Sequence, residues 1–134
     1  MVGIMQRVRH VSADKQARFD AFRRLRHMVL WRLDGPWGSP TWYTLNEVVK
    51  GAEGAPMLPG WPTSLMVVTL VNAGLVAEGP EICLDGACMY KVKQYGLTLD
   101  GHKALAESFV HATALWTAAD TEAALKAVTR PKLK

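Results

Sequence analysis

A chain of 134 residues, 49% hydrophobic and 21% charged, has the composition of one ordinary globular domain, which excludes a disordered polyelectrolyte. Its apolar stretches are short, as at 65–68, so no membrane span is expected, and residues 1–10 lack the apolar core and cleavage site of a secretory leader. Two cysteines are too few for a disulfide-dense secreted scaffold, and a cytoplasmic, reducing setting is expected.

The net charge of +4 is unevenly placed. Residues 1–32 carry eight bases (Arg7, Arg9, Lys15, Arg18, Arg23, Arg24, Arg26, Arg32) and two acids, net +6. Residues 33–90 carry one base and six acids, net −5, and residues 91–134 are net +3. A basic N-terminal part suits attraction to a polyanion such as nucleic acid. The same charges would also serve as a solvated helix face.

Residues 1–16 show no clear periodicity and read as a basic arm. Over 17–33, Phe19, Phe22, Leu25, Val29 and Leu33 recur every three or four residues, which predicts a helix with one apolar stripe. Asp34-Gly35-Pro36 stops it. Residues 37–43 are a turn-rich connector in which Trp42 and Tyr43 suit a very short strand. Thr44 and Glu47 have capping-box spacing and predict a short helix over 45–52. Gly51, Gly54, Pro56, Pro59 and Gly60 then mark a long loop.

From Trp61 the chain is apolar on nearly every side as far as Ala73. Pro62 suits a first helical turn and Gly74 a C-terminal cap. The β-branched Val67, Val68, Thr69 and Val71 fit a buried strand equally well, and pattern alone leaves both readings open. Leu75-Val76 begins an extended stretch. Residues 81–84 and 87–90 flank Asp85-Gly86 and predict a hairpin with a two-residue turn. Residues 90–95 partly alternate, and 97–99 close the extended region. Asp100 is the expected N-cap of a long helix over 101–118, with Leu105, Phe109, Ala112, Leu115 or Trp116, and Ala119 as its stripe. Asp120 is the expected N-cap of a final helix reaching Val128.

In a two-residue hairpin Cys83 and Cys88 oppose each other as a close, non-hydrogen-bonded pair within disulfide reach. They are a candidate redox pair, although a reducing compartment favours two free thiols. His10, His27, His102 and His111 match no zinc spacing with these cysteines, so no metal is expected. Trp31, Trp37, Trp42, Trp61 and Trp116 suit the core, and alternatively an aromatic ligand pocket beside the last helix. There is no phosphate-binding glycine loop, no nucleophile elbow and no convincing nucleophile–base pair, so neither an enzyme nor a cofactor is expected.

Helix, short helix, apolar helix, hairpin and helix, in that order, resemble a winged helix-turn-helix domain. The string Leu70-Val71-Asn72-Ala73-Gly74-Leu75-Val76 resembles the end of a recognition helix entering the first wing strand. Residues 95–105, from Tyr95-Gly96-Leu97-Thr98-Leu99-Asp100-Gly101 onward, resemble the wing's return strand entering the next helix, as in MarR-like and PadR-like regulators. The resemblance covers about 23–118. It implies an α+β domain over 17–119 with a hairpin wing, following the arm at 1–16 and preceding a helical tail at 120–134.

The resemblance also implies a transcription regulator that binds double-stranded DNA as a homodimer, paired through its terminal helices. Pro62, Thr63 and Ser64 would then lie nearest phosphates, and Leu65, Val68 and Thr69 would face the bases. Thr44 and Asn46 would start the bracing helix, Lys91 and Lys93 would line the wing, and Arg7, Arg9, Arg23 and Arg24 would add phosphate contacts. The recognition segment, however, contains no Arg or Lys, and Asp85 lies at the wing tip. Two alternatives stay open. One is a winged-helix protein-interaction module with a partner over its apolar recognition face. The other is an α+β domain with 65–71 as a central strand.

Overall fold

The computed structural model describes residues 13–34, 41–108 and 116–127. Helix α1 (Ala13–Arg32) starts four residues earlier than the periodicity predicts, so 13–16 are its first turns rather than arm. Its buried stripe is Ala21, Leu25, Met28 and Val29, continuing to Leu33. Leu25, Val29 and Leu33 were expected there. Phe19 was too, but it is 60% exposed, with the Arg23 guanidinium 5.8 Å from its ring centre. The apolar face lies closer to Ala21 than to Phe19, because three consecutive residues, Met28, Val29 and Leu30, are enclosed at the helix's far end.

Strand β1 (Tyr43–Thr44) leads straight into α2 (Leu45–Lys50). The expected capping box is present: Glu47 N–H donates to Thr44 Oγ1 at 3.2 Å, and Thr44 N–H donates to Glu47 Oε1 at 3.0 Å. The helix stops at Gly51, whose φ of 67° is left-handed, two residues short of the expected end. Arg32 helps to end it. Its Nη1 donates to the Val48 and Val49 carbonyls at 2.8 Å, and its Nη2 donates to the Pro56 carbonyl at 2.5 Å. A single guanidinium thus satisfies the free carbonyls of a helix end and anchors the following loop.

The ambiguous apolar segment is a helix, α3 (Gly60–Asn72). It buries Pro62, Thr63, Met66, Val67 and Leu70. Gly74 N–H donates to Val71 O and Leu75 N–H to Leu70 O, both at 3.0 Å. Gly74 has φ of 78°, so the glycine closes the helix as expected. The strand alternative for 65–71 is therefore excluded.

Strands β2 (Val76–Glu78) and β5 (Gln94–Leu97) pair antiparallel, and β1 adds to the far side of β5, giving the order β1-β5-β2. A ribbon of β3 (Ile82–Cys83) and β4 (Lys91–Val92) projects from the same hairpin. Gly79 N–H still bonds Gln94 O, whereas the next pair outward is Ile82 with Val92. One side advances three residues while the other advances two, so an extra residue is inserted at Gly79-Pro80-Glu81. Proline has no N–H for a ladder, and a bulge is where a strand accommodates it.

The hairpin tip departs from the expected two-residue turn. Cys83 faces Lys91, not Cys88. Leu84 N–H donates to Tyr90 O at 2.9 Å, which leaves 85–89 as the loop. Inside it Cys88 N–H donates to Asp85 O at 3.2 Å, and Met89 N–H donates to the Asp85 carboxylate at 2.8 Å. The side chain of Asp85 thus stabilises a wider loop than Asp-Gly alone requires.

Helix α4 (Leu99–Ser108) is capped by Thr98, not Asp100: Gly101 N–H donates to Thr98 Oγ1 at 3.0 Å, and that hydroxyl donates to Gly74 O at 2.7 Å. The predicted continuous helix to 118 does not form, because Trp116 and Thr117 are non-helical. Phe109, Ala112 and Leu115 lie outside the described residues. Helix α5 (Ala118–Ala127) starts from Thr117, which forms a second capping box with Asp120. The boundary expected at 119/120 falls inside this helix, which packs on α1 and buries Ala124. The chain is a mixed α+β protein in which α1 is sandwiched among α3, α4 and α5. Among the described residues no helix is long and apolar enough to cross a membrane.

Candidate nucleic-acid interface

The expected contact residues lie on α3, at the start of α2 and on the projecting ribbon. Positions 65, 68, 69 and 72 share one helix face by their spacing of three and four. Val68 is 51% exposed, Thr69 and Asn72 are exposed, and Leu65 is half-buried. Thr69 Oγ1 donates back to the Leu65 carbonyl at 2.9 Å. Leu65, Val68 and Thr69 therefore lie together on one face of α3.

The expected phosphate contacts at the start of α3 need correction. Pro62 and Thr63 are fully buried, because they lie on the inward face with Met66 and Val67. Thr63 N–H already donates to Pro59 O at 3.1 Å, so neither its backbone nor its side chain faces a ligand. Ser64 is half-buried and Asn46 is exposed on α2. Thr44 is buried and its hydroxyl serves the capping box, so it acts through α2 rather than at the surface.

The bases are less available than their number suggests. Arg24 pairs with the carboxylate of Asp120, whose side chain is only 7% exposed, and so ties α1 to α5. Arg24 was expected as a phosphate contact, and this pairing engages its Nη1 while the side chain stays 44% exposed. Arg32 is held by three carbonyls, and Lys15 and Arg18 have contacts of their own. Arg23 is exposed beside Phe19. On the ribbon side Lys91 is exposed, and Lys93 lies 3.5 Å from Glu78 with both side chains open to solvent. Arg7 and Arg9 lie outside the described residues.

Cys83 and Cys88, the candidate pair within disulfide reach, form a disulfide with a Cα separation of 4.9 Å, against the free thiols that a reducing compartment favours. Cys88 has a left-handed φ of 56°, which brings it back toward Cys83 across the wider loop. Leu84, Met89 and Tyr90 around the bridge are 64%, 75% and 71% exposed, an apolar tip that alternation along the strands did not reveal. The bridge closes a very short loop, so reduction should cost at most about 2 kcal/mol of stability on chain-entropy grounds. Cys83→Ser should lower the urea midpoint by the amount that a thiol reductant lowers it in the wild type, and the reductant should leave the variant unchanged. A reductant effect that persists in the variant would contradict this assignment.

A cleft of about 750 Å3 opens between α1 and the loop after α2, with Trp31, Tyr43, Lys50 and Trp116 among its walls. Two of the five tryptophans thus share a concavity. Trp42 instead packs against Gly79 and Gly96, where a side chain would collide with its ring. Trp61 is half-buried on α3, and Trp37 lies outside the described residues. No group of His, Cys, Asp or Glu with metal-binding geometry occurs among the described residues. His102 Nδ1 is 3.1 Å from the Asp34 carboxylate, linking α4 to the end of α1.

His27 Nδ1 is buried without a hydrogen-bond partner, and its ring lies 6.4 Å from that of Trp31. Burial, and then the neighbouring Arg26 charge, push the His27 imidazole below its ordinary pKa. The unfolded chain therefore binds this proton more readily. Stability is fully present above about pH 6.5 and is lost as pH falls through the lower folded-state value. His27→Gln should flatten the acid limb of a stability–pH curve, and an unchanged limb would contradict the burial.

Comparison of the chain with protein-family models, curated proteins and solved structures returned no match.

Proposed function

We propose that this chain is a winged helix-turn-helix protein of the transcription-regulator type that binds double-stranded DNA. The observation that carries the reading is topological. Helix α2 follows β1 directly, α3 follows after the loop at 51–59, and the β2–β5 hairpin projects a ribbon beyond a sheet whose order is β1-β5-β2. That arrangement presents α3 and a wing on one molecule, the two elements such domains offer to a groove and its backbone. Exposed Val68 and Thr69 on α3, Asn46 on α2 and Lys91 on the ribbon support it. Exposed Phe19 on α1 and Leu125 on α5 support a homodimer through the terminal helices. The role requires no cofactor and no catalytic group. It belongs in a cytoplasm, where the Cys83–Cys88 bridge would face reductants.

The test is fluorescence anisotropy with a labelled duplex of mixed sequence, comparing wild type with an Arg7→Gln, Arg9→Gln, Arg23→Gln triple variant. Arg24 is left intact because it holds α5. The variant should bind more weakly and with a shallower salt dependence. Equal binding and equal slope would remove the arm and α1 from the interface.

The second reading is a winged-helix protein-interaction module. The absence of Arg and Lys from residues 60–72, together with the exposed apolar ribbon tip, favours it. Absence of binding to any duplex at low salt would select it.

A further inference from the structure

We propose that Cys88 is a site of reversible modification by a small-molecule thiol, at which the Cys83–Cys88 bridge opens with Cys83 as the leaving thiolate. This chemistry does not depend on DNA binding. The bridge closes a loop at the far end of the β3–β4 ribbon, and no residue from 77 to 94 belongs to the hydrophobic core. Both cysteines are exposed, as are Leu84, Gly86, Ala87 and Met89 around them. The sequence separation is only 5, so the bond adds little chain-entropy stabilisation. Cys88 is the one residue other than glycine with a positive φ among the described residues, and opening the bond frees it from that conformation. An exposed disulfide that fastens no core belongs with the labile bridges that exchange with thiols, not with the structural ones that resist them.

The two sulfurs are unlike. Lys91 stands directly across the ladder from Cys83, so both side chains leave the ribbon on the same face, with Cβ atoms about 5 Å apart. Its exposed ammonium favours a thiolate on Cys83. Cys88 has a carboxylate for a neighbour instead. Its N–H donates to Asp85 O at 3.2 Å, and the next N–H, of Met89, donates to the Asp85 carboxylate at 2.8 Å. Of the other ribbon charges, Lys93 lies 3.5 Å from Glu78, and Glu81 lies two residues before Cys83, outside the β3–β4 pairing. The sulfur with the more stable thiolate leaves faster, and that sulfur is Cys83.

Exchange runs in two steps. The thiolate of a small thiol attacks Cys88 Sγ, the bridge breaks, and its electron pair leaves on Cys83 as a thiolate. A second small thiolate then attacks the sulfur of the first, forms the small disulfide and releases the Cys88 thiolate. In all, two small thiols are oxidised by two electrons and the bridge is reduced to two thiols, which take up the two protons given up.

The test treats the oxidised full chain with glutathione at neutral pH, quenches with acid and reads the products by mass spectrometry. Millimolar reduced glutathione should open the bridge without denaturant and oxidised glutathione should re-form it, with the far-ultraviolet circular dichroism unchanged. The adduct trapped during opening should sit on Cys88. Iodoacetamide should alkylate the Cys83 thiol, in Cys88→Ser, about three-fold faster than the Cys88 thiol, in Cys83→Ser. Adding Lys91→Gln to Cys88→Ser should remove that advantage. A bridge that resists glutathione until urea is added would overturn the proposal and make the bond structural. An adduct trapped on Cys83, or equal alkylation rates, would overturn the assignment of Cys83 as the leaving group.

Discussion

Asp120→Ala is expected to lower the unfolding free energy by about 3 kcal/mol, one of the two largest effects of a single substitution expected here. The Asp120 carboxylate is nearly buried and accepts from Thr117 N–H at 3.0 Å, from Thr117 Oγ1 at 3.1 Å, and from Arg24. Removing it deletes the reciprocal half of the Thr117–Asp120 capping box and leaves Arg24 without its partner. Losing a cap costs roughly 1 kcal/mol. Breaking a fully buried pair costs about 3–5 kcal/mol, and the 44% exposure of Arg24 puts this pair below that range. Arg24→Ala should cost less, about 2 kcal/mol, because Thr117 still satisfies the carboxylate. Urea unfolding at constant m-value measures both. Losses under about 0.5 kcal/mol for Asp120→Ala would mean that Arg24 does not hold α5 to α1 as described.

Gly101→Ala is expected to destabilise by about 2 kcal/mol or more, although alanine normally favours a helix by about 0.5–1 kcal/mol over glycine. A Cβ at Gly101 would run into the Leu75 carbonyl oxygen and lie 3.0 Å from Leu97 Cδ2. The Leu75 oxygen is backbone and also accepts from Thr98 N–H at 3.1 Å, so it is held between the end of α3 and the start of α4. The clash is relieved only by moving α4 off the sheet. A thermal melt decides the sign. A raised midpoint for Gly101→Ala would mean that α4 does not approach the 73–75 turn as closely as described.

The sequence is legible where the physics is local. The Thr44–Glu47 box and the Gly74 cap depend on residues within a few positions, and both form as expected. The same motif at Thr117–Asp120 is masked in the sequence because Asp100 and Asp120 each suit an N-cap themselves. In both helices a threonine earlier in the chain does the capping. Helix and strand could not be separated over 65–71, because burial on several sides erases periodicity. The choice of helix appears only with Met66, Val67 and Leu70 in the shared core. The hairpin was legible and its register was not, since the Asp85 carboxylate and the Pro80 bulge each displace the pairing.

The candidate site divides the same way. Spacing along a helix placed Leu65, Val68 and Thr69 on one face. It could not show that Thr63 belongs to the inward face, which depends on where the sheet and α1 lie. The N-terminal charge was visible as a count, but the engagement of Arg24 by Asp120 and of Arg32 by α2 carbonyls joins residues far apart in sequence. Each such pairing converts a base that suggested a polyanion into part of the scaffold.

The most direct test of the central claim is a salt titration of wild-type binding to a mixed-sequence duplex. Displacement of counterions by even four phosphate contacts predicts a log–log slope of about −3.6. Binding that is tight at low salt and falls linearly on that plot is the expected result. Negligible binding at every salt concentration, or binding without salt dependence, would contradict a DNA-binding role.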